Sequence, residues 1–259
     1  MKSKKFAENL LFLAALVLLW QLLYTAVCDW FSWAKPYAVP NPAGVVRCFL
    51  LLLSDGTLLT AVCSSLLRVT TGFFLSVILG ILLGICLIHS NYAARNLKPL
   101  ILGIQTLPSI CWVPFAILWF GLSESAIIFV VIMGSAFGIA LSMESCIKNI
   151  PPIYIKAAKT MGLDSYQLYR YVIFPAALPA FISGLKQGWS FAWRALMSGE
   201  VMSASMGLGY TLMTGRDLAD INQVMTVMLV IIFIGILIDK GIFTAAESRI
   251  LKKRGLMTE

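Results

Sequence analysis

The chain has 259 residues, of which 59% are hydrophobic and 12% are charged, and its formal net charge at pH 7 is +8. A soluble domain carries about 25% charged residues, so this composition excludes an ordinary soluble domain and indicates a polytopic membrane protein. The positive charge does not indicate nucleic-acid binding, because the basic residues cluster in short loops and at the termini, as the positive-inside rule expects.

Six apolar runs are long enough to cross a bilayer, which takes about 20 residues as a helix. An amphipathic helix at 57–71 leads into the second run, and loops are expected at 29–55, 90–99 and before the sixth run. Pro108 and Pro114 interrupt the third run, because proline removes a helical hydrogen bond. The predicted spans are residues 10–28, 72–89, 100–120, 125–146, 180–202 and 223–243.

The distribution of basic residues predicts the topology. With six spans and a cytoplasmic amino terminus, the outer loops hold only Lys35, Arg47 and Arg216, and the other loop and terminal basic residues lie inside. We therefore expect a multi-pass protein of the plasma (inner) membrane with both termini in the cytoplasm, and with the polar segment at 147–179 on the same side.

Small residues recur at steps of four in three spans. Because lipid tails are as apolar as leucine, spans associate by close packing of small residues. These steps predict tight contacts within a bundle or a dimer, and the alternative is a helix that slides against its neighbour. The residues are Gly80 and Gly84, Gly134 and Gly138, and Gly184, Gly188 and Ala192.

Polar groups inside spans are costly and therefore informative. Gln105 lies beside Pro108, and the fifth span carries Lys186, Arg194 and Glu200. Lys186 is expected to reach the interface, whereas Arg194 lies deeper, can pair with Glu200 or with another span, and favours an anionic solute. The predicted translocation path contains Gln105, Pro108, Trp112, Gly184, Gly188, Arg194 and Glu200.

No motif indicates chemistry in this chain. The sequence has one histidine, and its six cysteines show no CxxC spacing, so no metal site and no disulfide framework is predicted. HExxH, a nucleotide-binding glycine loop and a Ser/His/Asp set are also missing from the sequence. We therefore expect no catalytic residue and no cofactor in the chain itself.

The polar segment has its own helix signals. A proline pair precedes a helix predicted at 153–161, Gly162 suits a left-handed C-cap, and Asp164 with Gln167 predicts a capping box for a second helix. Pro175 is expected to end that helix near residue 173. The segment is thus predicted to be helix, glycine turn, helix.

The first of these helices has an apolar face. Ile153, Ala157 and Met161 are spaced by four residues and share one side of the helix. Ala157 and Ala158 have small side chains and are expected to form a flat surface on which a groove of another protein can close. The alternative is a helix that lies on lipid.

Four stretches resemble one protein family. Lys156-Ala157-Ala158-x-x-x-Gly162, followed by Ile173-Phe174-Pro175, resembles the "EAA" loop of ABC-importer permease subunits. Residues 65–73, 107–121 and 207–210 are similar to the nitrate/sulfonate/taurine-type permeases, and the resemblance covers about residues 40–239. Two positions depart from the pattern: Lys156 replaces the usual acidic residue, and Phe174 replaces the usual leucine.

The resemblance implies an all-α membrane protein of the type I ABC-importer permease fold, with about six transmembrane helices and a cytoplasmic coupling helix. It implies a single permease domain over 1–259, with a core at 57–243 and a coupling loop at 148–178. It also implies a permease homodimer, an external substrate-binding protein, and an ATPase subunit that holds ATP and Mg. The implied ATPase-docking residues are Tyr154, Lys156, Ala157, Ala158, Met161, Gly162, Leu163 and Pro175.

Two other classes fit the sequence less well. An ion-coupled secondary transporter predicts inverted repeats and carboxylates at mid-membrane, but Glu124, Glu144, Glu200 and Asp239 all lie near span ends and no repeat is seen. An integral-membrane enzyme would need clustered histidine, cysteine or aspartate at one depth. For the solute, sulfonates, nitrate, taurine and heterocyclic vitamin precursors all remain open.

Overall fold

The computed structural model describes residues 2–30, 35 and 38–253, and the regular elements of this part are all helices. The all-α expectation is therefore confirmed. The α-helices are α1 Lys2–Thr25, α2 Pro42–Ser54, α3 Thr57–His89, α4 Asn91–Gln105, α5 Val113–Phe120, α6 Glu124–Lys148, α7 Pro152–Thr160, α8 Ser165–Leu168, α9 Phe174–Val201, α10 Leu208–Asp217, α11 Ile221–Ile238 and α12 Ala245–Lys253. Ser109–Trp112 forms a 3-10 turn, and Ala26–Trp30, Tyr169–Ile173 and Asp239–Thr244 are π-helical.

The described chain divides into two compact units. The first unit contains the residues up to Cys63 together with Met206–Ile232, and the second contains Ser64–Ser205 together with the residues from Phe233 onward. The sequence predicted a single permease domain without this division. The candidate functional residues that the sequence singled out lie in the second unit.

In the first unit, α2 packs on the start of α11. The Asn41 side chain caps α2 by accepting from the backbone N–H of Ala43 at 3.0 Å, and the Asn41 backbone N–H donates to Oδ1 of Asn222 at 3.0 Å. The Thr226 hydroxyl donates to the Val45 carbonyl at 3.1 Å. These bonds hold α2 in place. The prediction of a loop over residues 29–55 is therefore wrong, since the apolar run after Pro42 is long enough to form a helix of its own.

In the second unit, α6 lies between α3 and α9 at very short range. A Cβ on Gly80 would lie 2.7 Å from the Ile139 side chain, and one on Gly84 would lie 2.7 Å from Met143. On the other side, a Cβ on Gly184 would lie 2.5 Å from Cβ of Ser142. The small-residue steps therefore do serve close helix packing, as predicted.

The third predicted span is broken. Helix α4 ends at Gln105, the 3-10 turn follows Pro108, and α5 carries Pro114 in its first turn, so the two helices meet at 100°. The sequence predicted an interruption at both prolines, and the structure shows that Pro108 makes the break while Pro114 starts the next helix. A proline is tolerated at the first turn because its missing N–H would be unpaired there anyway.

By length and composition, four of the described helical stretches can cross a membrane, or five if the bent pair is one span. The four are Thr57–His89, Glu124–Lys148, Ser165–Val201 and Ile221–Lys252. The first predicted span is helical, but Ala14–Cys28 falls among the shorter apolar helices. The described residues therefore supply fewer spans than the six expected.

Three further boundaries differ from the predictions. The helix expected at 57–71 and the second span form the single helix α3, since no proline or capping residue separates them. Helix α4 occupies the predicted loop at 90–99, and α10 lies in the predicted loop before the last span.

All six cysteines are free thiols.

Candidate coupling insert and translocation groove

The polar insert forms the two predicted helices around a glycine turn. Helix α7 ends before Gly162, which has φ +79°, a conformation that glycine adopts without strain. The Asp164 carboxylate accepts from the backbone N–H of Gln167 at 2.7 Å, and the Gln167 side chain accepts from the backbone N–H of Asp164 at 3.3 Å. The capping box is therefore present.

The prediction that Pro175 ends the second helix is wrong. Helix α8 continues through the π turn Tyr169–Ile173 into α9, so Ser165–Val201 is one helical stretch of 37 residues. In a regular α-helix, the proline ring clashes with the carbonyl four residues earlier. The π turn widens the helix at that point and accommodates Pro175 in the first turn of α9.

A small hydrophobic core fixes the insert to the spans. Its buried residues come from the end of α6, the connection to α7, α7 itself, α8, the π turn and the start of α9, and Leu163 packs against them. Ala158 belongs to this core and is 3% exposed. The buried members are Cys146, Ile150, Ala158, Leu168, Ile173 and Ala177.

Four apolar residues of α7 and its C-cap are exposed. Ile153 is 64% exposed, Tyr154 53% and Met161 79%, and Ala157 is also exposed. We call these four residues the α7 apolar face. The expected surface of Ala157 with Ala158 must be corrected, because Ala158 points into the core while Ala157 points outward. Lys156 is exposed on the same helix, and no ion pair of the described residues includes it.

Two of the predicted path residues, Gln105 and Gly184, line one groove of about 440 Å³ between the end of α4, α6 and α9. Hydroxyl and amide side chains dominate its polar lining, and none of its described lining residues is charged. We call it the polar groove. Its other polar residues are Ser142, Ser145, Asn149, Ser183 and Gln187.

Arg194 lies beyond Phe191, which also lines the polar groove. Its guanidinium carbon is 5.0 Å from the centre of the Phe191 ring, and its Nε donates to the Ser190 carbonyl at 3.1 Å. The side chain is exposed. Arg194 therefore presents an exposed cation one helical turn from the groove.

The remaining predicted path residues lie elsewhere. Trp112 packs against a core cluster that contains Val113 and Val130. A Cβ on Gly188 would lie 2.6 Å from the Ile139 side chain, so this glycine serves helix packing. Pro108 forms the break between α4 and α5.

Glu200 takes part in a buried ion-pair network. Its Oε1 accepts from Arg68 Nη1 at 3.0 Å, and both carboxylate oxygens lie 2.8 Å from the Ser65 hydroxyl. Arg68 also donates through Nη2 to Glu124 at 2.9 Å. Glu200 is fully buried and Arg68 is 4% exposed. Of the two partners left open for Glu200, the structure selects another span and not Arg194.

The role of Arg68 was not predicted. Arg68 lies within residues 65–73, which were considered only for their family resemblance, although an arginine between Leu67 and Val69 in an apolar helix is itself a signal of a buried partner. The pairing partners could not be found from the sequence, because Glu124 and Glu200 lie 56 and 132 residues away.

A second buried carboxylate was also missed. Glu144 is 1% exposed, and its two oxygens lie 2.7 Å from Nζ of Lys98 and 2.7 Å from Nζ of Lys148. The spacing of Glu144 and Lys148 in α6 could have indicated this pair. Lys186, which was expected to reach the interface, pairs with Asp239 at 3.2 Å and donates to the Thr244 hydroxyl at 3.0 Å.

Comparison with known proteins identifies the family. Residues 76–250 match the family described as binding-protein-dependent transport system inner membrane component. The chain is 31% identical to SsuC of Escherichia coli (strain K12), named as an aliphatic sulfonates transport permease protein, over 86% of this chain and 83% of SsuC. It is 27% identical to the taurine transport system permease protein TauC of the same organism, over 80% of this chain and 78% of TauC.

The fold is shared with a solved transporter. A structure of the MetNI methionine ABC transporter in inward-facing conformations aligns with a TM-score of 0.60 at 22% identity, over 78% of this chain and 97% of that chain. This likeness shows the type I importer permease fold that the sequence predicted. The chain belongs to the binding-protein-dependent transport system inner membrane components, the permeases of ABC transporters of the sulfonate, taurine and nitrate type.

Proposed function

We propose that this chain is the transmembrane permease subunit of an ATP-binding-cassette importer that moves a small anionic solute into the cytoplasm. The single observation that supports it best is the α7 apolar face. A separate ATPase subunit would hold ATP and Mg²⁺ and perform the hydrolysis, so the chain itself is not an enzyme.

The α7 apolar face suits a protein partner because it is apolar and exposed, and because the packing beneath α7 holds the helix in place. Fully burying a side chain such as Ile153 or Met161 contributes about 1.5–3 kcal/mol relative to leaving it in water. The buried core with Ala158 and the capping box at Asp164 keep α7 in place, so little ordering cost remains when a groove of the ATPase closes over it. Tyr154, Ala157, Met161 and Lys156 supply the direct contacts in this proposal, whereas Ala158, Gly162, Leu163 and Pro175 position the helix.

The close packing of α3, α6 and α9 supports alternating access. Because the glycines at these contacts have no side chain, the helices can approach closely and tilt against each other. Closure of the ATPases would then shift the population between inward-facing and outward-facing arrangements of the helices. The proposal includes a permease homodimer, an external substrate-binding protein and an inner-membrane position with both termini in the cytoplasm.

The solute would pass along the polar groove. Gln105, Gln187 and the hydroxyls of Ser142 and Ser145 offer hydrogen-bond donors, and none of the described lining residues is itself a carboxylate. The Ser183 hydroxyl is engaged, because it donates to Glu247 at 2.6 Å. Arg194 adds a cation nearby. The proposed solute class is therefore a sulfonate, taurine or nitrate, and uptake of a heterocyclic vitamin precursor with no uptake of these anions would contradict it.

Co-purification of the full chain with its ATPase tests the docking proposal. Ala157→Arg places a charge in the centre of the α7 apolar face and should reduce the retained ATPase at least tenfold. Asn96→Arg is the matched control. Asn96 is exposed on α4, so this variant adds the same side chain away from α7. Equal retention of the ATPase by wild type and Ala157→Arg would overturn the proposal.

A further inference from the structure

An apolar groove of about 480 Å³ lies beside the insert. The ends of α3 and α6 form one wall, and the chain from Tyr166 to Phe181 forms the other. We call it the apolar groove. In contrast to the polar groove, its accessible lining is carbon throughout, so it offers a polar solute no hydrogen bond.

One arginine, one histidine and two tyrosines contribute apolar atoms to the lining of the apolar groove. Arg170, His89, Tyr166 and Tyr169 lie among its lining residues, and Arg170 is exposed. None of the ion pairs of the described residues includes Arg170. Tyrosine and arginine side chains with apolar stems are typical of the level where lipid headgroups meet the hydrocarbon.

The position of the apolar groove agrees with that level. It lies at the end of α3 near His89 and at the end of α6 near Ile147, and both helices are long and apolar enough to span a bilayer. The π turn Tyr169–Ile173 directs Tyr169, Arg170 and Ile173 to the same groove. An apolar groove lined by the stem of an exposed arginine matches an amphiphile with one acyl chain in the groove and a negative headgroup beside Arg170.

We infer that the apolar groove binds an anionic phospholipid from the leaflet on the side of the insert, with its phosphate on Arg170 and an acyl chain along Ile85 and Phe174. Cys146, Ile173 and Ala177 line this groove and also belong to the core that holds α7. A bound acyl chain therefore supports the core from its outer side. Through this core, and resting on the proposed function, the lipid stabilises α7 in the position that receives the ATPase.

Lipid retention by the purified full chain tests the site. The chain is incubated with mixed vesicles of phosphatidylglycerol and phosphatidylcholine that carry the same acyl chains, extracted in mild detergent and analysed by native mass spectrometry. Wild type should retain phosphatidylglycerol in preference by about fivefold, the contribution expected of one basic side chain at a membrane surface. Arg170→Gln should lose this preference while retention of phosphatidylcholine stays the same.

Two matched controls separate the site from general lipid association. Lys159→Gln removes an exposed cation of α7 that does not line the groove, and it should leave the preference unchanged. Ile85→Trp fills the groove and should lower retention of both lipids, whereas Leu82→Trp, also exposed on α3 but outside the lining, should not. Equal retention of the two lipids by wild type, or the same loss with Lys159→Gln, overturns the inference.

A second measurement separates this inference from the proposed function. Binding of the ATPase is measured for wild type and Arg170→Gln in vesicles with and without phosphatidylglycerol. The expected result is that phosphatidylglycerol increases ATPase retention by wild type only. If the ATPase binds equally in all four cases, the lipid site fails as a support of α7 and the docking proposal stands. If it binds in none, the docking proposal fails and the lipid preference of the isolated chain still decides the site.

Discussion

The two buried carboxylates of the second unit, Glu200 and Glu144, solve the same problem in different ways. Each lies in a helix that can span a membrane, and each pairs with one cation from another helix. The cation of Glu200 is Arg68, itself 4% exposed, whereas the lysines of Glu144 are 42% and 48% exposed. Both acids are buried, so the exposure of the partner cation decides how much stability is lost when one member of the pair is substituted.

The largest effect should come from Arg68→Leu. It leaves Glu200 buried with its guanidinium partner removed, and breaking a buried pair in this way costs about 3–5 kcal/mol. The free energy of unfolding, followed by helical signal in detergent, measures the loss. The double variant Arg68→Leu with Glu200→Leu should regain most of it, and a double variant as unstable as the single one would contradict this account.

Glu144→Gln should cost less, about 1 kcal/mol, because Lys98 and Lys148 can turn to water when their acid is removed and solvent already screens them. The same unfolding measurement applies. Lys98→Gln is the control for the pair that joins α4 to α6, and it should cost no more than Glu144→Gln. A loss for Glu144→Gln as large as that of Arg68→Leu would break the comparison.

Glu124→Gln should change stability by about 0.5 kcal/mol, since this partner of Arg68 is 67% exposed and an exposed ion pair contributes little. Glu200 keeps its contacts with Arg68 in this variant. A loss in the range of Arg68→Leu would show that Glu124 is needed to hold the arginine in place.

Added salt should separate the two ion-pair networks, because it should change the stability effect of Glu144→Gln by a few tenths of a kcal/mol and leave that of Arg68→Leu unchanged. Raising the ionic strength to about 1 M shortens the screening length to about 3 Å. The stability difference between wild type and Glu144→Gln should shrink, and that between wild type and Arg68→Leu should not. Equal salt dependence of both differences would show that water reaches the two sites alike.

The sequence predicted the insert well and the ion pairs poorly. Gly162, Asp164 and Gln167 act through neighbours within a few residues, so their spacing was enough to predict the turn and the capping box. Arg68 and Glu200 meet across 132 residues, and such a pairing depends on how α3 and α9 pack. Apolar composition likewise could not show that Ala158 points inward and Ala157 outward.

Errors at the helix ends have a related cause. Pro175 was predicted to stop a helix because the local rule for proline assumes a regular α-helical turn. The π turn Tyr169–Ile173 lies just before Pro175, so that rule does not apply there, and Ile173 at the end of this turn is buried in the core of the insert. In the loops, the predicted boundaries ignored short helices such as α2, whose Asn41 cap needs Asn222 from far along the chain.

The continuous stretch Ser165–Val201 has a mechanical consequence. At 1.5 Å per residue, a helix of this length is about 55 Å long. It joins the insert at one end to Glu200 at the other without an intervening loop. A tilt of about 10° around the middle of a stretch this long would displace its two ends by about 5 Å in opposite directions, given the length set by the helical rise. Under the proposed function, a motion imposed on α8 would therefore reach the Arg68–Glu200 contact through one helical stretch.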